Sequence, residues 1–384
     1  MFENDSTVAG LDVCPFTAAS KIAIAAVMTP EVQTTIHICD WMSKDNLPSK
    51  RNVINLHEDQ LCFGPCAEDP DKHGELRIQY WLNESTKDCG TTLPRHRKAT
   101  LDKREADLRM RTNWPSSLSH QLDRFDVDKP IVLWSSDEWT DRLNLWWLLH
   151  TLDFLKIPDS RIWYVESSLC ADRCIEPLRI HGKDQMLEAY KRATPIGSQR
   201  MQDGADLWRK FVASNPERFA KVIVKDSRSF DRIQHCIEPY FFFFPRIVGD
   251  HVRLSKFDQY MFDKLDSKTW TKPYDIVSAL INEQAHRFNW LGATAFLSRL
   301  SSWRSGPATV LEFRVIEGVN QLTSIEYRLT SQGDTLKHQG ITAISEAPRM
   351  FLGGCELYQN ESLWAAINSE NGWKLVRVEL GRPA

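Results

Sequence analysis

The chain has 384 residues, 42% of them hydrophobic and 26% charged, and a net charge of −3 at pH 7. This composition is that of a globular protein and excludes a largely disordered one, and the charge provides no overall attraction to nucleic acid. The longest apolar run near the N-terminus, residues 22–28, is far short of the roughly 20 residues that a membrane-spanning helix needs, so we expect no membrane partner.

The nine cysteines indicate the cellular compartment in which the protein works. Their number is odd, and they are spread along the chain without the regular spacing of a disulfide framework. Unpaired thiols of this kind are typical of a reducing environment. We therefore predict free cysteines and a cytoplasmic location.

The first half of the chain has the pattern of an α/β domain. An N-terminal extension, residues 1–33, comes first. β-Branched runs at residues 34–39 and 52–56 then predict the first two strands. We expect this α/β domain to cover residues 34–170.

The most regular part of this domain is a strand followed by an apolar helix. Residues 131–134 form a continuous apolar run, typical of a strand covered on both faces. The leucines that follow, Leu149 among them, recur at helical spacing, and residues 161–165 predict the next strand. Because a helix connects these two strands, we predict a parallel pair with a right-handed crossover and a Rossmann-like sheet that holds all four strands.

A helical middle region, residues 171–270, follows the α/β domain. It contains four consecutive phenylalanines, Phe241 to Phe244. Four adjacent side chains cannot all face one side of a helix or a strand. We therefore predict that this segment is buried between several elements.

The last region, residues 271–384, has the element order of a winged helix. Two predicted helices, residues 274–284 and 292–303, precede two strand-like runs. From Lys272 to Ala384 there are eleven Lys/Arg and eleven Asp/Glu, so the region has no net charge. DNA recognition needs cations for the phosphates. We therefore expect this winged-helix-like module to contact a protein partner or a second copy, and nucleic acid is not the favoured partner.

Several segments, taken in order, resemble one protein family. They are IHIC from Ile36, EDQLCFGP from Glu58 to Pro65, IVLWSSDEWTDRLNL from Ile131 to Leu145, YRLTSQGDTLKHQG from Tyr327 to Gly340, and MFLGG from Met350 to Gly354. Together they resemble the cytosolic bacterial proteins of the domain of unknown function numbered 1835. The resemblance implies the architecture described above and a bacterial cytosolic protein, and it implies no activity.

The chain departs from the family pattern at two places. Asp40-Trp41-Met42 stands where the family has Gly-Asp-Ser after the first strand. Asp141-Arg142-Leu143 stands where the family has Asp-Gln-Leu in the central helix. If the first turn holds a ligand in relatives, this chain has an altered site.

Acidic side chains follow the predicted strands, where ligands bind in open α/β sheets. Clustered carboxylates can bind a divalent metal, or one of them can hold a proton at raised pKa for acid–base chemistry. The same residue types also cap helices and end strands without any further role. The candidate ligand-binding residues are His37, Asp40, Asp59, Asp137 and Asp141.

Other motifs assign no metal and no cofactor. Cys62 and Cys66 have three residues between them, but a second tightly spaced pair of ligands, which zinc sites usually have, is missing from the sequence around them. The sequence has no Walker loop, no GxGxxG fingerprint and no GxSxG elbow. ATPase, kinase and classical dehydrogenase functions are therefore excluded, and the cofactor, if there is one, is unknown.

Two functions are compatible with these patterns. The first is a regulatory or interaction protein, in which the α/β domain binds a small ligand or a partner and the C-terminal module relays that state. The alternative is a metal-assisted or acid–base enzyme that acts on a nucleotide or nucleic acid at the strand ends. For nucleic acid, the basic segment 95–111 is the better candidate surface.

Overall fold

The structure is a computed structural model that describes fourteen stretches of the chain. They are residues 36–40, 53–56, 61–87, 122–123, 129–135, 139–166, 192–225, 233–283, 293–306, 308–316, 324–341, 347–359, 362–370 and 372–379. The N-terminal extension and the basic segment 95–111 lie outside them.

These stretches form a mixed α/β structure. The strands are β1 (Ile36–Asp40), β2 (Val53–Leu56), β3 (Gly64–Pro65), β4 (Ile131–Ser135), β5 (Ile162–Glu166), β6 (Thr194–Pro195), β7 (Arg246–Val248), β8 (His251–Arg253), β9 (Leu311–Val315), β10 (Ile325–Leu329), β11 (Phe351–Gly353), β12 (Cys355–Glu356), β13 (Tyr358–Gln359), β14 (Ser362–Ser369) and β15 (Gly372–Glu379). The helices are α1 (Pro70–Lys87), α2 (Trp139–Phe154), α3 (Gly197–Phe211), α4 (Glu217–Lys225), α5 (Ile237–Phe241), α6 (Lys256–Asp263), α7 (Pro273–Glu283), α8 (Ala293–Ser305) and α9 (Ser331–Gln339).

The four strands predicted for the α/β domain share one sheet. Its order is β2-β1-β4-β5, all parallel, and the short β6 pairs antiparallel with β5 at the edge. Ile38 lies level with Ile54 on one side and with Leu133 on the other. The apolar side chains of β4 are buried, as a strand covered on both faces requires. The predicted parallel pairing of these four strands is therefore confirmed, and the Rossmann-like topology stays a prediction.

Helix α2 is buried along most of its length because it has neighbours on two sides. It follows β4 in the chain and packs extensively against α3. Trp146 and Leu149 are fully buried. Apolar residues all round a helix are typical of this double burial. None of the helices in the described stretches is long and apolar enough to span a membrane.

The four phenylalanines are buried between elements, as predicted. Each of Phe241 to Phe244 has a relative exposure of 4% or less. Phe241 stacks on Trp373 with ring centroids 4.9 Å apart, whereas Phe243 meets Phe257 edge-on at 5.4 Å. The run therefore fills space on different sides at once, which a single amphipathic face could not do.

The C-terminal region contains the predicted order of two helices and two strands. Helices α7 and α8 precede the antiparallel hairpin of β9 and β10. Later strands, however, pair with earlier parts of the chain: β11 pairs with β3, and β14 pairs with β7. Segments on the two sides of residue 271 therefore share sheets, and the winged-helix assignment stays a prediction.

A buried carboxylate joins α6, α8 and β13. Asp258 in α6 is fully buried and accepts hydrogen bonds from Arg299 Nε at 2.7 Å and Nη2 at 2.9 Å. It also accepts from Trp303 Nε1 at 2.7 Å, from Tyr358 OH at 3.3 Å and from Ser255 Oγ at 3.0 Å. Both carboxylate oxygens are thus fully used, as a buried charge requires.

The guanidinium of Arg299 is equally well satisfied. Its Nη1 donates to the carbonyl oxygen of Pro348 at 3.2 Å, and its centre lies 4.8 Å from the ring of Trp303. Burial lowers the pKa of Arg299, but Asp258 outweighs burial and holds that pKa above its ordinary value. Arg299 therefore keeps its charge, and both side chains of the pair are buried.

The first prediction concerns the central helix. Replacement of Leu149 by alanine removes a fully buried side chain, and we expect a loss of about 2–5 kcal/mol in the free energy of unfolding, measured by denaturant titration. Phe154→Ala on the same helix is the control, because Phe154 is 49% exposed. Equal losses in the two variants would contradict the buried position of Leu149.

The second prediction concerns the buried ion pair. Asp258→Asn leaves the guanidinium of Arg299 buried without a counter-charge, which typically costs about 3–5 kcal/mol. Glu238→Gln removes an exposed partner of Lys256, 3.3 Å away, and should cost less than about 1 kcal/mol. Chemical denaturation of both variants measures the difference, and a loss for Asp258→Asn as small as that of the control would refute this role.

Candidate functional site

The carboxyl ends of β1 and β4 lie side by side. The register pairs Ile38 with Leu133, and each strand continues for two residues beyond this pair. Asp40 ends β1 and Ser135 ends β4. The two residues therefore stand at the same edge of the sheet on neighbouring strands.

The predicted site residues reach this edge only in part within the described stretches. Asp59 and Asp137 lie outside them, as do the side chains of His37 and Asp40 in β1. Asp141 lies in the first turn of α2 and is buried. Convergence of the carboxylates stays a prediction, and no group of three or more His, Cys, Asp or Glu in the described part of the chain is placed to hold a metal ion.

The start of α2 is tied to the strand before it. Ser135 Oγ donates to the carbonyl oxygen of Asp141 at 3.3 Å. Arg142, where the chain departs from the family pattern, is buried, and its Nη1 donates to the hydroxyl of Tyr164 on β5 at 2.9 Å. The ring of Tyr164 also carries the guanidinium of Arg200, 4.7 Å from its centroid. Arg142 thus has a structural partner in the sheet.

Four cysteines have described side chains, and all four are buried thiols: Cys62, Cys66, Cys236 and Cys355. Cys66 Sγ donates to the carbonyl oxygen of Leu61 at 3.6 Å, and Nδ1 of the nearby His73 accepts from the backbone N–H of Ala67 at 3.3 Å. Burial raises the pKa of Cys355 to about 12. A thiol at that pKa is not a nucleophile at neutral pH.

The glycines of the CFGPC and MFLGG segments allow close backbone contact. Gly64 has a φ of +79°, and a side chain there would overlap the ring of Tyr80. A Cβ on Gly354 would overlap the carbonyl oxygen of Val212, just beyond α3. Cys66 N donates to the carbonyl oxygen of Gly353 at 2.8 Å. The turn after β3 and the end of α3 are therefore held beside the same strand, β11.

A surface cavity of about 540 Å³ lies where this turn meets the end of α3. Its lining contains three cationic and two anionic side chains. The lining residues are Glu68, Asp206, Arg209, Lys210, Ala213, Ser214 and Arg218. Lys210 and Asp206 form an ion pair, whereas the guanidinium groups of Arg209 and Arg218 make no ion pair with any residue in the described stretches. Among the described residues, the cavity therefore has two guanidinium groups without an ion-pair partner.

His150 of α2 lies beside this cavity. It is 8% exposed, and its Nε2 donates to the carbonyl oxygen of Glu68 at 2.7 Å. Since Nε2 carries the proton, Nδ1 has the free lone pair, and within the described stretches Nδ1 is buried without a hydrogen-bond partner. Burial lowers the pKa of His150, and the charge of Arg209 lowers it further, against the raising effect of Glu68. The imidazole is therefore neutral at pH 7.

The sequence does not reveal this set of residues. Arg209 and Lys210 stand in the last turn of α3, where cations commonly offset the helix dipole. Only the packing of α2 against α3 brings them near His150 and Glu68. An adjacent pair of cations at a helix end was the one available signal, and on its own it indicates no site.

Comparison of the chain with protein-family models, with curated proteins and with solved structures found no match. The resemblance to a bacterial family described above therefore stays a prediction.

The third prediction follows from the lowered pKa of His150. The folded pKa lies below the ordinary 6.5, so the unfolded chain binds the proton more readily, and folding stability falls as the pH drops below about 6.5. Above that pH the imidazole of His150 is neutral in both the folded and the unfolded chain, so its titration does not reduce folding stability. Urea unfolding at pH 7.5 and 5.5 should show a smaller loss for His150→Gln than for the unchanged protein.

The control for this experiment is His251→Gln, which removes an exposed histidine. Its loss of stability between the two pH values should match that of the unchanged protein. If His150→Gln also matched, the imidazole would not be the group that resists protonation.

Proposed function

We propose that this chain is a cytosolic bacterial regulatory or interaction protein that binds a small anionic ligand in the cavity beside His150. The observation that carries the proposal is that Arg209 and Arg218 line one cavity and that neither guanidinium forms an ion pair within the described stretches. The bacterial and cytosolic part rests on the family resemblance and on the pattern of the cysteines.

The chemistry of the lining favours a ligand with phosphate or carboxylate oxygens. A guanidinium presents several donors in a planar fork that matches these groups. Asp206 is already neutralised by Lys210, and Glu68 is exposed and can turn toward solvent. The volume of about 540 Å³ is within the range of roughly 300–1,000 Å³ that small-molecule sites occupy.

The position of the cavity supports a regulatory role. Arg209 and Lys210 belong to the last turn of α3, and Gly354 N donates to the carbonyl oxygen of Phe211 in that turn at 3.4 Å. A ligand that draws Arg209 inward acts on the end of α3, which contacts β11 and the residue after it. Because β11 belongs to the predicted C-terminal region, residues 271–384, this contact supports a relay between the cavity and that region.

The alternative is a metal-assisted or acid–base enzyme that acts on a nucleotide or nucleic acid at the carboxyl edge of the sheet. The strand order favours it: β2 and β4 lie on opposite sides of β1. In Rossmann-like sheets the connections diverge at such a point, and ligands bind in the crevice that results. Asp40 and the predicted partners Asp59, Asp137 and Asp141 would supply the carboxylates.

The fourth prediction tests the cavity with the full chain. Inorganic phosphate, pyrophosphate and a nucleoside monophosphate are titrated by calorimetry and by thermal unfolding. A ligand at one hundred times its Kd stabilises the folded state by about 2.7 kcal/mol, so we expect a rise of the midpoint with at least one probe. The Arg209→Gln/Arg218→Gln double variant should lose this rise while its midpoint without ligand stays near that of the unchanged protein.

Lys221→Gln is the matched control. Lys221 is an exposed cation of α4 that pairs with Glu217 and does not line the cavity, so this variant should bind like the unchanged protein. The absence of binding by all three probes, or equal binding by the double variant, would refute the proposal. Turnover of a probe with Mg²⁺ that Asp40→Asn abolishes would instead establish the enzymatic alternative.

A further inference from the structure

We propose that two copies of this chain associate through the free edge of β9, so that two hairpins form one four-stranded antiparallel sheet in the order β10-β9-β9-β10. This inference is independent of the ligand site. It rests on the backbone of the hairpin, on its exposed side chains and on the order of charges along β9.

As far as the described stretches show, the hairpin has one occupied edge and one free edge. Thr330 N donates to Val310 O at 3.1 Å and Ile316 N donates to Ser324 O at 2.8 Å. These bonds show that the even-numbered residues of β9 point their backbone groups toward β10. The odd-numbered residues therefore direct their N–H and C=O groups to the opposite side, where no strand of the described stretches pairs with them.

The outer edge of β10, in contrast, is already covered. Tyr327 exchanges two backbone hydrogen bonds of 2.9 Å with Thr271, and Leu329 N donates to Asp266 O at 2.8 Å. A further strand can therefore join this hairpin only at β9.

Two apolar side chains of β9 are exposed. Phe313 is 37% exposed and Val315 is 55% exposed, and both are large for a surface position. Proteins commonly guard an edge strand with lysine, proline or a bulge. Strand β15, another edge, has the exposed cations Lys374 and Arg377 along it. Strand β9 has no lysine and no proline, and its two charged residues, Glu312 and Arg314, are of opposite sign.

The order of these charges makes β9 complementary to itself. In an antiparallel pair with its two-fold axis at Phe313, Glu312 of each copy lies opposite Arg314 of the other. That pair is of the non-hydrogen-bonded type, in which the Cα atoms are about 4.5 Å apart and side chains interact most closely. A two-fold axis at Glu312 or at Arg314 would instead place like residues opposite each other. The charges thus select one register.

The charged side chains of β9 are already held in position by contacts within each copy. Arg314 pairs with Glu326, and Arg328 pairs with Glu312, both at 2.6 Å across the hairpin. The ring of Trp270 lies 4.7 Å from the Arg314 guanidinium and 4.5 Å from that of Arg328. Across the four-stranded sheet the charges alternate as Glu326, Arg314, Glu312 and Arg328, with the last two from the second copy.

The size of the contact sets the expected affinity. Five residues on each side are far fewer than the roughly 20–30 residues a side of a standard interface, so this contact belongs to the weak, transient class. We therefore expect a weak dimer, and a mass that rises with concentration from 44.4 kDa toward twice that value.

The experiment uses charge reversal on the full chain, read by sedimentation equilibrium over a range of concentrations. Glu312→Arg puts arginines opposite each other in the dimer, and Arg314→Glu puts glutamates opposite each other, so each variant alone should be monomeric. An equimolar mixture of the two variants restores opposite charges at both contacts. We expect this mixture to form dimers, and the restoration shows that both variants are folded.

Lys374→Glu on β15 is the control, and its association should equal that of the unchanged protein. The proposal is overturned if the mass of the unchanged chain does not rise at any concentration reached, if either β9 variant associates as strongly as the unchanged chain, or if the mixture remains monomeric. None of these outcomes changes phosphate binding at the cavity, so the dimer and the ligand site can be refuted independently of each other.

Discussion

The arrangement of the C-terminal half depends on one buried carboxylate. Asp258 is out of contact with water, so its charge is stable only if neighbouring groups replace the lost hydration. Arg299, Trp303 and Tyr358 supply these donors from 41, 45 and 100 residues away along the chain. Helices α6 and α8 and strand β13 therefore share one permitted arrangement, because any other would leave a buried donor or acceptor without its partner.

Backbone contacts join the N-terminal and C-terminal parts. Strands β3 and β11 form a parallel pair. Gly354, just after β11, lies so close to the backbone at the end of α3 that no side chain would fit there. This approach is what places Glu68, in the turn after β3, beside Arg209 in α3. The proposed ligand cavity is thus a product of two glycine-dependent contacts.

The Asp258 network connects the two proposed surfaces, the ligand cavity and the edge of β9, through a series of residue contacts. From the cavity, contacts run through Gly354 to the segment that carries Tyr358. From the network, α8 leads from Arg299 to Arg304, whose guanidinium lies 4.4 Å from the ring centroid of Phe313 in β9. A protein that binds a ligand at one end and a second copy at the other would use this rigid buried pair as the common support.

The sequence by itself determined the elements whose pattern is local. Apolar runs predicted the four parallel strands, helical spacing predicted α2, and four adjacent phenylalanines predicted a segment buried on several sides, since each signal depends on neighbouring residues alone. The cavity of Arg209, Arg218 and His150, the Asp258 network and the pairing of β3 with β11 were decided only by the tertiary structure. They join residues that are remote in sequence, and a lone arginine, histidine or aspartate has the same local pattern whether it is solvated, buried or part of a site.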